Sequence, residues 1–156
     1  MNLIFDIRNL TKARVDKKFL VKIAHTVLKI ARIKRKIELS LIIVEEGEIK
    51  KINRWFRGED LVTDVLSFGQ ETKKYLGDFI SAPDGIRRLG EIFICYPQAR
   101  KQAKILGHST KLELGILFIH GILHLLGFND QGKTEKLKMQ KKEKEILKAI
   151  SDYANI

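Results

Sequence analysis

Cysteine is nearly absent. Cys95 is the only one in 156 residues, which excludes an internal disulfide and fits a reducing compartment. Flanked by Ile94 and Tyr96 in a strand-like run, it reads as an inert buried thiol rather than a nucleophile. Proline is scarce too, with two residues, and there is no Pro/Ser-rich linker, internal repeat or low-complexity tract. No apolar run is long enough to span a bilayer: the best candidate, Leu114 to Leu126, is too short and contains two histidines. The N-terminus, Met1-Asn-Leu-Ile-Phe-Asp-Ile-Arg, alternates like a strand and carries Asp6 and Arg8, so neither a signal peptide nor an anchor is expected. These absences predict one soluble, cytoplasmic domain over residues 1–156, with no membrane contact.

Negative charge is also in deficit, 19 Asp+Glu against 30 Lys+Arg for a net of +11. Such an excess concentrates polyanions near the surface, and nucleic acid is the first partner to consider. Charge alone does not separate a nucleic-acid enzyme from a basic factor without chemistry.

The apolar pattern alternates between two periods. Leu3, Phe5 and Ile7 predict a first strand, and Phe19, Leu20, Ile23, Ala24, Val27 and Ile30 a helix from about Asp16 to Arg32 in which His25 is structural. Ile37 to Val44 reads as a second strand, Glu46 to about Phe56 as a helix, and Thr63 to Phe68 as a short strand. Trp55 and Phe56, at helical spacing with Ile49 and Ile52, are expected in the core, with stacking on RNA bases the alternative. Gly69 to Arg88 mixes basic pairs with turn residues and predicts a basic loop or short β-excursion. Leu89 to Cys95 is the last strand. Pro97 opens a helix to about Leu106 that Gly107 closes. Ser109 or Thr110 caps a helix from Lys111 to Leu126 that is hydrophobic nearly all round and therefore central. A final basic helix, about Lys133 to Ile150, turns Leu137, Met139 or Gln140, Ile146, Leu147 and Ile150 inward. The fold class expected is α+β: a small mixed sheet covered by helices, with a central buried histidine-bearing helix.

That helix carries the chemistry. His120-Gly-Ile-Leu-His124-Leu-Leu-Gly127-Phe-Asn-Asp130 sets two imidazoles one turn apart, then a glycine break, then a carboxylate. One such histidine is ordinarily a satisfied core residue, but burying two on one face without a shared partner costs free energy. Neutral imidazoles suit Zn²⁺ and similar ions, and Asp130 completes a set of three ligands with a position open for water. The alternative for Asp130 is that it only holds the loop. Gly121 occupies the place of the glutamate in the His-Glu-x-x-His peptidase motif, so a general base must come from elsewhere. With the basic charge, a phosphodiester is a better substrate than a peptide bond, and the planar fork of Arg57 suits a phosphate.

Asn53-x-x-x-Arg57, Thr63-Asp64-Val65-Leu66-Ser67-Phe68, Leu89-Gly90-Glu91-Ile92 and His120-Gly-x-Leu-His124-Leu-x-Gly127 together resemble the YbeY family of bacterial endoribonucleases, the rRNA maturation factors. Gly107-His108-Ser109, Glu113, Met139, Glu143 and Ile146-Leu147 add to the match, which runs from about Asn53 to Leu147. The resemblance implies a metal-dependent endoribonuclease for single-stranded RNA, acting in small-subunit rRNA 3′ end maturation and ribosome quality control. It implies one ion, zinc by preference though another divalent metal is possible, held by three histidines, with Arg57 lining the cleft. The catalytic residues it marks are Arg57 and His120, and the metal ligands His120, His124 and, where the family has its third histidine, Asp130. RNA and the small ribosomal subunit are the implied partners.

Two other readings stand beside this one: a non-catalytic RNA- or ribosome-binding factor with a structural metal, and a metal-dependent hydrolase of another substrate, which the missing glutamate weakens. Bland roles are the expectation for the other marked residues. Thr63 and Asp64 stabilise a turn or contact the histidine helix from behind, Ser67 is a strand hydroxyl, and His108 caps or packs.

Overall fold

In the computed structural model, which describes residues 2–69 and 85–151, alternation and β-branched content yield four strands. These are β1 (Leu3–Asn9), β2 (Ile37–Val44), β3 (Val65–Gly69) and β4 (Arg87–Cys95). Five helices join and cover them: α1 (Lys17–Ile30), α2 (Glu46–Arg57), α3 (Tyr96–Leu106), α4 (Thr110–Leu125) and α5 (Lys133–Ser151). The strands lie in the order β1-β2-β4-β3. β1, β2 and β4 are parallel, and β3 runs antiparallel to β4 at the edge. The mixed α+β architecture is therefore as the periodicity predicts. Of the basic segment Gly69 to Arg88, residues 70–84 lie outside the described residues, while Arg87 and Arg88 extend the last strand two residues upstream of the expected start.

The sheet separates two apolar clusters, and the two-residue period of the strands decides which side chain joins which. Ile37, Leu39, Leu41 and Ile43 of β2 point to the larger cluster, with α1, α4 and α5. Val44, Leu66, Phe68 and the fully buried Cys95 point the other way, under α2. Burial pushes the Cys95 thiol pKa up, so it stays protonated and inert. On β3 this alternation turns Leu66 and Phe68 toward α2, leaving Val65 and Ser67 on the side of α4. Gly90 is required on β4 because its φ is +142° and a Cβ there would meet the Phe68 carbonyl oxygen at 2.2 Å.

Three local signals place the helices. Asp16 is the N-cap of α1, accepting from the Phe19 N–H, and Ser109 caps α4 by accepting from the Leu112 N–H. Gly107 ends α3 with φ +75°. Two expectations fail. Leu137, expected inward, stands exposed on α5, whose apolar contacts run through Met139, Ile146 and Ile150. Trp55 and Phe56 are not core: Trp55 is 80% and Phe56 44% exposed, because the fully buried stripe of α2 runs through Ile49 and Asn53, with Phe56 at its edge against Phe68.

Candidate metal centre

α4 is apolar nearly all round because α1, α3, α5 and the sheet surround it. Its last two turns leave His120 and His124 half-buried against a polar cavity of about 440 Å³. The far wall is Thr63, Asp64, Val65 and Ser67, from β3 and the residues leading into it. Arg57, at the end of α2, and Asp130, beyond α4, complete the lining.

The loop after α4 follows from a helix-ending motif. Gly127, at φ +103°, donates its N–H to the His124 carbonyl, and Phe128 donates to the Leu123 carbonyl, the two bonds of a Schellman turn. The turn brings the Phe128 carbonyl over the ring of His124, whose Nδ1 lies 3.1 Å from it. Asp130 follows two residues later. One ligand atom from each of His120, His124 and Asp130 then lies within 4.8 Å of the others.

The proton positions follow from the partners. His120 Nδ1 is 2.9 Å from a carboxylate oxygen of Glu143, on α5, and His124 Nδ1 faces a backbone carbonyl. Both partners only accept, so both Nδ1 atoms must donate. In neutral rings this leaves a lone pair on each Nε2, and the two Nε2 atoms face each other at 2.8 Å. Two lone pairs at that distance repel unless a cation sits between them, either a proton or a metal ion. The donor set therefore fits a divalent ion. Without an ion, the two rings differ in their hold on a proton. The Glu143 carboxylate beside it raises the His120 pKa above the ordinary 6.5 against the opposing effect of burial. His124 is lowered, first by burial and then by the charge of His120.

Behind the cavity runs a polar chain that spacing did not reveal. Asp64 accepts from the Val65 N–H at 2.8 Å and from Gln102 Nε2, on α3, at 3.3 Å. Gln102 also donates to Glu113 on α4 at 3.0 Å. Glu113 is almost fully buried, and its other oxygen meets His108 Nε2 at 2.5 Å. Asp64 thus both stabilises the entry to β3 and reaches the histidine helix, through Gln102. His108 is satisfied by Glu113 and is not among the cavity's lining residues. Ser67 is a strand hydroxyl, 3.5 Å from the Gly121 carbonyl. Gln102 carries no local signal, and Glu143 was marked only by the family resemblance, since each acts across the tertiary fold.

Gly121 has a steric reason. A Cβ there would lie 3.0 Å from two Ile92 methyls and 3.1 Å from Ser67 Oγ, so α4 lies against the sheet too closely for a peptidase glutamate.

Fold and cleft define a class: an α+β protein with a histidine helix laid on its sheet and a His-His-Asp cluster suited to one divalent ion. Within that class the chain belongs to the family described as Endoribonuclease YbeY, whose model matches residues 6–151. It is similar to the Endoribonuclease YbeY of Macrococcus caseolyticus, 38% identical over 88% of this chain and 90% of that protein. The protein of the same description from Dehalococcoides mccartyi is 38% identical over 90% of this chain and 91% of its own. That from Bacillus licheniformis is 44% identical over 70% of each. The solution structure of a Thermotoga maritima protein superposes with a TM-score of 0.59 at 28% identity, covering 94% of this chain and 89% of that one.

Proposed function

We propose that this chain is a metal-dependent endoribonuclease for single-stranded RNA, its ion held by His120, His124 and Asp130. Family membership makes it an RNA-cleaving hydrolase. The observation that carries the metal is the pair of Nε2 atoms 2.8 Å apart whose outer nitrogens are both committed as donors.

Zinc suits two imidazoles and a carboxylate, and the anionic third ligand shifts preference toward harder ions such as Mn²⁺. A bound ion supplies a Lewis acid for a phosphoryl oxygen and lowers the pKa of a coordinated water. The protein's own part is positioning. Glu143 and the Phe128 carbonyl fix the tautomer and tilt of the two imidazoles. Arg57 has no ion pair among the described residues and is free to grip phosphate oxygens at the cleft wall. Asp64 is the other carboxylate lining the cavity, and it takes the proton of the attacking water in place of the glutamate that Gly121 excludes.

The biological setting we propose is small-subunit rRNA 3′ end maturation and ribosome quality control in the cytoplasm, with the whole chain acting as one domain. The net charge of +11 supports a ribosomal RNA partner, and no helix among the described residues is long and apolar enough to cross a membrane.

The test is cleavage of end-labelled single-stranded RNA with and without a chelator. Cutting should stop on chelation, return with Zn²⁺ or Mn²⁺, and fall by about 100-fold or more in His120→Ala while RNA affinity is kept. RNA binding that is steep in salt, with no chelator-sensitive cutting, would establish the non-catalytic factor instead.

A further inference from the structure

Trp55 is the only tryptophan of the chain, and it stands 80% exposed on the last turn of α2. It makes no ring contact among the described residues, whereas its neighbour Phe56 packs on Phe68 with centroids 4.7 Å apart. The burial of α2 is supplied by Ile49, Asn53 and Phe56, so the indole does no work for the fold. A large aromatic left in water marks a contact surface.

Its neighbours select the partner. Neither Arg54 nor Arg57 has an ion pair among the described residues. At about 100° per residue, Arg54 follows Arg57 by about 60° around the solvent side of the helix, and Trp55 follows Arg54 by about 100° more. Arg57 is part of the cleft wall. Cation, cation and aromatic therefore succeed one another from the cleft outward over α2. The nearest acids beyond Trp55 in sequence, Glu59 and Asp60, come only after Gly58 has ended the helix at φ +71°. Two guanidinium groups followed by an exposed ring match the two parts of a single-stranded nucleic acid, phosphate and unpaired base.

We infer that Trp55 is a stacking platform for an unpaired nucleobase of the RNA strand that Arg57 and Arg54 lead out of the cleft. This rests on RNA being the substrate, and it adds a binding subsite outside the cavity. A duplex offers no free base face, so the platform also selects for single strands.

Tryptophan fluorescence, excited where tyrosine does not absorb, reads this subsite alone, because no second tryptophan contributes. On stopped-flow mixing, a ten-nucleotide single-stranded RNA should quench Trp55 by about half, and an abasic oligomer of equal charge should not. Trp55→Ala should bind the RNA about tenfold more weakly and raise KM with kcat unchanged, Trp55→Phe should recover most of the loss, and abasic affinity should be equal in all three. If RNA binds and is cut by Trp55→Ala as by the parent protein, with fluorescence unmoved on binding, the stacking assignment is wrong while the nuclease reading stands. The exposed ring then belongs to a protein contact. If the parent protein binds no RNA at all, both readings fall.

Discussion

Glu143 sets how His120 is used. Its carboxylate, 2.9 Å from Nδ1, holds the ring with Nε2 turned to His124 and makes that nitrogen more basic. Glu143→Ala should weaken metal binding by about 10- to 100-fold, and Glu143→Gln, which keeps an acceptor oxygen, by less. Titration calorimetry on the three proteins checks this order. The same bond dictates a pH dependence. Without metal, the His120 pKa lies above 6.5 and the His124 pKa below it. A raised folded-state pKa gives stability that is complete below 6.5 and lost as pH climbs through the raised value. The lowered His124 pKa acts oppositely, costing stability as pH falls from 6.5 through the lowered value. Just above 6.5 the pair thus holds one proton, on His120, and metal uptake must expel it. Calorimetry in buffers of different ionisation enthalpy should count proton release just above pH 6.5 that falls toward none at high pH. Uptake with no proton release just above pH 6.5 would refute the shared-proton pair. The histidines and Asp130 were legible from spacing alone because one helical turn and a glycine break bring them together. Glu143 was not, because its bond joins α5 to α4 across 23 positions.

At the scale of elements, α4 is held to its neighbours by glycines whose missing side chains let other atoms approach. A Cβ at Gly115 would fall 2.9 Å from Ile23 Cδ1, and one at Gly121 would meet Ile92 at 3.0 Å. Gly121→Ala gains about 1 kcal/mol of helix propensity but overpacks the contact with β4 by about 1–3 kcal/mol. A net loss of about 1 kcal/mol in urea unfolding is expected, with weaker metal uptake as His120 shifts with its turn. Unchanged stability would mean that the sheet yields freely at Ile92. Most element boundaries were readable because local physics fixes them: Asp16 and Ser109 as caps, Gly107 as a stop, and the two-residue period of β2. The misread residues lie off the buried stripes of their helices. Leu137 sits about 180–220° around α5 from the buried Met139, Ile146 and Ile150, and Trp55 lies on the solvent side of α2, so a single apolar side chain did not mark which face is covered.

At the scale of the molecule, α4 packs on the sheet, and the group of His120, His124 and Asp130 brings the end of that helix together with the loop before α5. Strand order was not legible. The place of β3 at the edge, antiparallel to β4, depends on long-range pairing that no local pattern encodes. The function was legible only through combination: the histidine spacing points to a metal, the charge to a polyanion, and the ordered motifs around Arg57 and His120 to the family, which the family match bears out. The most direct measurement is the metal content of protein loaded with Zn²⁺ and freed of excess by gel filtration, for the parent chain, His124→Ala and Asp130→Ala. The account predicts about one ion per parent chain and a clear loss in both variants. Equal metal in all three proteins, or none in any, would contradict it.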